Sequence, residues 1–246
     1  MTTALSDVQA LTPTRPPEIP RDAIYTKNYC EENIYLLAQS LQNDPIVQAQ
    51  WAVFPIVISN QTKTIALWSQ QSRRPGEDVV VWDYHVILVL RPRVAPCSSS
   101  TPTADAMEGY EHQQSWVYDF DTTLAKPCSW SEYVSQTFDV NDVLLEQFKS
   151  LFKVIPAATY LGHFASDRSH MVKAAPGVTP DWRYISPPPT YPLLCGHRAR
   201  KAGILNNLMS AFVCMTPTAQ EETYGVVLDL HGFSEWCGLC REIHRP

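Results

Sequence analysis

Residues Val79–Leu90 (VVVWDYHVILVL) constrain the fold more than any other segment, because so dense a run of β-branched and aromatic side chains suits a pleated, half-buried surface. Read with period two, Val81, Asp83, His85 and Ile87 share one face, and Trp82, Tyr84, Val86 and Leu88 the other. Ser115–Asp121 divides in the same way, with Val117, Asp119 and Asp121 opposed to Trp116, Tyr118 and Phe120. If these two strands pair antiparallel across the loop 91–114, their aromatic faces share a core. His85 then lies on the same face as Asp119 or Asp121. A carboxylate beside an imidazole sets its tautomer and supports its charged form.

The remaining elements order themselves around this pair. Asn28 precedes Glu31 by three positions, as in a capping box, and Ile34, Leu37, Ala38 and Leu41 follow at helical spacing. Trp51–Ser59 and Thr64–Gln70 read as strands joined by a turn at Asn60–Lys63. Two capped helices are expected, Trp130–Phe138 behind Ser129 and Val143–Phe152 behind Asn141 or Asp142. A helix near Ile204–Met215 and a strand near Tyr224–Leu230 complete the list. A helix, meandering strands and then helices indicate α+β, not alternating βαβ.

Proline clusters mark the loose stretches: a lead-in over residues 1–22, expected to be disordered, and two interior segments, 91–109 and 174–192. With 246 residues and no internal repeat, one domain over 23–246 is expected, carrying an insertion about 91–114 and a divergent tail about 234–246. A net charge of −6 argues against a nucleic-acid partner. The longest apolar run, Trp51–Ile58, is far too short for a bilayer and contains Pro55, so no membrane association is expected. The first twenty residues offer neither a basic nor an apolar signal region, which suggests a cytoplasmic protein, with the nucleus as a second compartment. Seven cysteines then read as buried, catalytic or metal-binding thiols and not as a disulfide framework.

Cys30 stands out among them. In the first turn of a helix its thiolate meets the positive helix end, and nearby backbone N–H groups are free to hold an oxyanion. Glu31 and Glu32 oppose ionisation, so a base such as His85 is needed. A helix-start cysteine, a strand histidine and an aspartate on the next strand form a nucleophile–base–orienter set. Elsewhere, Cys237 and Cys240 with His231 and His244 make only a weak zinc pattern, and no glycine-rich phosphate loop is present.

The segments Y-C-E-E-N-I-Y (29–35), W-D-Y-H-V (82–86), V-Y-D-F-D-T (117–122) and F-A-S-D-R-S-H-M (164–171), with W-R (182–183) and P-P-P-T-Y-P (187–192), resemble the protein N-terminal glutamine amidohydrolase family. The likeness runs in order over residues 29–192 and fades beyond Pro192. It implies a triad of Cys30, His85 and Asp119, which selects Asp119 over Asp121. It also implies a papain/transglutaminase-like core, with the cysteine helix packed on a mainly antiparallel sheet, and no metal or organic cofactor. The implied activity is conversion of an N-terminal glutamine to glutamate with release of ammonia, on protein or peptide substrates of the N-degron pathway, by a monomer.

Selectivity for a chain terminus also needs a pocket and a partner for the α-ammonium. Trp82 and Phe164 are candidate apolar walls, and Ser166 and Asp167 candidate polar contacts. The tail from about Ser234 is expected to be dispensable. A cysteine peptidase or transglutaminase with the same triad, or a non-catalytic adaptor for peptide termini, are the alternatives.

Overall fold

The computed structural model describes residues 15–93, 114–140, 143–174, 182–216 and 223–238. Its spine is a six-stranded sheet in the order β10-β7-β1-β4-β5-β6, with every neighbouring pair antiparallel. The strands are β1 (Trp51–Ser59), β4 (His85–Pro92), β5 (Trp116–Tyr118), β6 (Cys128–Ser129), β7 (Leu151–Val154) and β10 (Val226–Leu228). Two small hairpins stand apart, β2 (Ile65–Trp68) with β3 (Val79–Trp82) and β8 (Val172–Ala174) with β9 (Trp182–Tyr184). The α+β expectation holds.

Helix α1 (Cys30–Asn43) lies across one face of the sheet, burying Ile34, Leu37, Ala38 and Leu41 against Val53, Val57, Val86, Leu88 and Leu90. The Ala157–His163 helix and a π-helical turn at Leu208–Val213 complete that layer. On the other face, Ile56, Ile58, Ile87, Val89 and Phe152 meet the Trp130–Phe138 and Leu230–Gly238 helices. Each strand residue thus belongs to one core or the other by its parity, as a sheet covered on both sides requires. Among the described residues no helix is long and apolar enough to cross a membrane.

Several expectations need correction. Val79–Leu90 is not one strand. Asp83 accepts from the Tyr84 N–H through its own carboxylate at 2.9 Å, and its carbonyl accepts from the Ser59 hydroxyl at 2.8 Å. These bonds take residues 83–84 out of the ladder and hand the two halves to different sheets. β5 stops at Tyr118, so Asp119 and Asp121 follow the strand instead of lying on it. The segment 143–152 forms a short 3-10 turn at Glu146–Phe148 and then enters β7, where Phe152 pairs with both Ile58 and Leu228. Burial of Phe152 and Val154 between two strands outweighs the local helical pattern. Within 204–215 only Leu208–Val213 is helical.

The chain ends pack more closely than composition suggests. In the lead-in, Pro16 is buried, Ile19 packs on the α1-side core and the Tyr118 hydroxyl donates to the Pro17 carbonyl. Trp236 and Cys237 are buried in the second core, and the Ser115 hydroxyl donates to the Cys237 carbonyl at 2.7 Å. The tail is therefore structural as far as Gly238. Residues 1–14, most of the 91–114 insertion, and Cys240 and His244 lie outside the described residues.

Candidate active site

The start of α1 is set by the residues before it. Tyr29 is the N-cap and makes no side-chain capping bond, so the expected capping box is absent. Asn28 instead takes a left-handed backbone, φ 66°, which asparagine tolerates better than most residues. The amide of Asn33 bridges back to Thr26, accepting from its N–H at 2.8 Å and donating to its carbonyl at 2.9 Å. This clasp holds the approach to the helix and makes Cys30 the first helical residue.

Cys30 is only 7% exposed, and its sulfur lies against the Val86 N–H, one residue beyond His85. Burial, and then the Glu31 and Asp121 charges, push its thiol well above the ordinary range; the Val86 N–H works the other way. The free site therefore holds a thiol, not the helix-stabilised thiolate. Glu32 contributes little to this, because its buried carboxylate is engaged by Arg168.

His85 opens β4 opposite Ile58 and is fully buried. Its Nε2 lies 2.8 Å from Asp119 Oδ1, and its Nδ1 is buried with no hydrogen-bond partner. With Asp119 ionised, Nε2 carries the proton and Nδ1 presents the lone pair. Burial acts to lower the imidazole pKa, but the charge and hydrogen bond of Asp119, with the Asp121 charge, raise it above the usual histidine value.

Asp119 is also buried, which by itself would raise its carboxyl. His85, the Asp121 N–H and the Tyr133 hydroxyl nevertheless hold it below the usual carboxylate range. Its Oδ1 takes His85 and the Asp121 N–H, both at 2.8 Å; its Oδ2 takes Tyr133 at 2.9 Å and Gln70 at 3.3 Å. His85, Asp119 and Asp121 are spaced as a metal-ligating group. Four donors on Asp119 occupy the lone pairs an ion would need, so the set fits a histidine anchor better than a metal. Asp121 accepts from the Tyr25 hydroxyl at 2.6 Å, and the Tyr25 ring stacks on Phe120.

The other sequence candidates take separate places, with Trp82 beside His85. Trp82 stacks on the His85 ring at 5.5 Å between centroids, with its Nε1 buried and unpartnered. Phe164 is wholly inside the core, against Tyr35, Tyr160 and Phe212. Ser166 is buried and accepts from the Arg168 N–H. Asp167 is exposed and bonded to the Ser169 N–H and to Asn206. What the 164–171 motif does deliver is Arg168 and His170, of which the first escaped sequence reading and the second had no assigned role. Arg168 grips Glu32, while His170 reaches Glu31 and Tyr84. Cys237 is a core residue whose thiol is pushed up by burial, and His231 lies 3.5 Å from Glu235.

A thiol at a helix start, and an imidazole whose far nitrogen is tethered to a carboxylate, are the equipment of enzymes that cleave amides through a side-chain nucleophile. The comparisons with known proteins agree with this class. Residues 25–237 match the model of the N-terminal glutamine amidase family, and the chain belongs to that family. It is 38% identical to the protein N-terminal glutamine amidohydrolase of Bos taurus over 223 residues, 89% of each chain. Against the Homo sapiens protein of that name it is 37% identical over 228 residues, 91% of this chain and 93% of the relative. Against the Danio rerio protein the identity is 34% over 236 residues, 96% and 97%. The family match continues well past Pro192, where the motif likeness was expected to fade.

Proposed function

We propose that this enzyme hydrolyses the side-chain amide of N-terminal glutamine in proteins and peptides, using Cys30, His85 and Asp119. The observation that carries the reading is the bare Nδ1 of His85, left as a base by the Nε2–Asp119 bond in a member of this family. Cys30 Sγ attacks the glutamine amide carbon as its proton passes to Nδ1, since the thiol is not ionised beforehand. N–H groups at the start of α1, which lack intrahelical acceptors, receive the oxyanion. The imidazolium returns the proton to the departing nitrogen, giving ammonia and a thioester. His85 then removes a proton from water, which attacks the thioester and yields glutamate and the free thiol.

The cysteine helix packed on an antiparallel sheet, with histidine at a strand start, supports a papain/transglutaminase-like core. The product exposes an N-terminal acidic residue, consistent with a role in the N-degron pathway. A net charge of −6 supports protein, not nucleic-acid, substrates, and we assign the enzyme to the cytoplasm and nucleus as a monomer. Mass spectrometry of a Gln-starting peptide tests the activity. A gain of about one dalton with free ammonia is expected. Cleavage of the peptide chain, or incorporation of an added amine, would make the protein a peptidase or a transglutaminase instead.

A further inference from the structure

Beside Cys30 lies a second buried ionisable group that the proposed triad does not use. The Tyr84 hydroxyl donates to Glu31 Oε2 at 3.0 Å and accepts from His170 Nε2 at 3.2 Å. With a neutral ring, that order of donors leaves Nδ1 of His170 as a bare acceptor. Glu31 Oε1 faces the His170 ring nitrogen at 3.3 Å without forming a hydrogen bond, and both Glu31 Oε1 and His170 Nδ1 are buried and unpartnered. A purely structural glutamate at full burial has donors on both oxygens. Two unmet acceptors are the complement of a group that offers only donors, and an ammonium has three N–H bonds and no acceptor.

We propose that Glu31, oriented by Tyr84 and backed by His170, receives the α-ammonium of the substrate's first residue. The inference rests on the glutamine-deamidation reading and deepens it. Glu31 Oε2 is 3.8 Å from Cys30 Sγ. In glutamine the amide carbon and the α-nitrogen are four bonds apart, about 5 Å when extended, so one residue spans from sulfur to carboxylate. The surroundings favour a cation, since Glu31, Asp121 and Asp83 all bear on the Cys30 sulfur and the nearby Arg168 is committed to Glu32. Asp121 is less suited because its Oδ1 already holds Tyr25. Asp167, the carboxylate singled out from sequence, is exposed and tied to Ser169 and Asn206.

The test compares two substrates on one enzyme preparation: a Gln-starting peptide, and the same peptide capped with a glutaramoyl group, which is the glutamine chain without its amine. In the wild type, loss of the amine should lower kcat/KM roughly ten- to a hundred-fold, the range of a charged hydrogen bond. In Glu31→Gln the ratio should collapse towards one, because only the amine-bearing substrate loses its partner. Partial misfolding cancels in this ratio. Should Glu31→Gln not fold, Tyr84→Phe, which frees the carboxylate from its orienting hydroxyl, should lower the ratio by a smaller factor. A ratio that stays at the wild-type value overturns the assignment to Glu31. Absence of ammonia from the Gln peptide with wild-type enzyme would instead overturn the deamidation reading beneath it.

Discussion

Arg168 holds Glu32 through two parallel contacts, Nε to Oε1 and Nη2 to Oε2, each 2.8 Å, with both side chains buried. The same guanidinium donates to the Pro189 and Tyr191 carbonyls at 3.2 Å and lies over the Tyr191 ring. One side chain thus ties the third residue of α1 to the 164–171 motif and to the P-P-P-T-Y-P segment, three separate stretches of the sequence. Removing it strands a buried carboxylate next to the cysteine turn. Arg168→Ala should lower stability by about 3–5 kcal/mol. Lysine should recover only part of this, since it cannot make the bidentate contact. Denaturant unfolding of both variants measures the difference.

Cys30→Ala should leave the fold intact and remove turnover, with kcat reduced about 10⁴-fold or more. His85→Ala should be comparably severe, and the double variant little worse than either, because a nucleophile and its base act as a unit. Single-turnover kinetics on a Gln-starting peptide supply the numbers. Activity of Cys30→Ala within tenfold of wild type would remove it as nucleophile.

The acidic limb of the pH–rate profile should report His85. Its neutral form is the base, and its pKa is raised, so kcat/KM should climb with pH through a value above the ordinary histidine pKa of about 6.5. Asp119→Asn removes the strongest influences raising that pKa and leaves burial, which lowers it. The limb should therefore move to lower pH while the plateau falls sharply. Asp121→Asn should shift the limb less and cost less rate, because Asp121 acts on the ring without bonding to it. Equal effects of the two substitutions would contradict the distinction.

Trp236 should be required for stability. Its ring meets Phe54 edge-on at 4.9 Å and lies under the Arg91 guanidinium at 5.2 Å. Trp236→Ala should cost about 3–5 kcal/mol, and truncation from Ser234 at least as much. A truncated protein that melts at the wild-type temperature would restore the idea of a dispensable tail.

Among peptide substrates, a free N-terminal glutamine should react, whereas acetylation of the α-amine or one residue placed in front should abolish most of the rate. An N-terminal asparagine should also be poor, since its amide carbon stops one methylene short of Cys30 and near-attack geometry tolerates little error. Comparing kcat/KM across these four peptides checks the terminal requirement. Near-equal rates on the acetylated peptide would make the enzyme a general glutaminyl-peptide deamidase.

How far the sequence could be read depended on how local each signal was. The Trp130–Phe138 helix is legible because its cap is a neighbour, the Ser129 hydroxyl accepting from the Glu132 N–H at 3.2 Å. β1 is equally plain, a nine-residue strand that is apolar from Trp51 to Ile58, with the ends expected from sequence. The helix expected at 143–152 failed because Phe152 is claimed by partners at 58 and 228, which no window around it contains. Phe164 and Asp167 illustrate the same limit at the site. Their motif is easily seen, but whether a residue points into a core, a cleft or solvent depends on distant segments.

Composition and periodicity alone determined that this chain would be a mixed helix-and-sheet domain with a cysteine at a helix start and a histidine on an apolar strand. These are short-range facts, written in the spacing of side chains along a few turns or pleats. Only the tertiary structure decided which nitrogen of His85 is bare, that the Cys30 thiol stays protonated, and that Arg168 and His170 reach back to Glu32 and Glu31. Such properties belong to the burial and charge around a group. Those fields are summed over residues more than a hundred positions apart, brought together only when both faces of the sheet are covered.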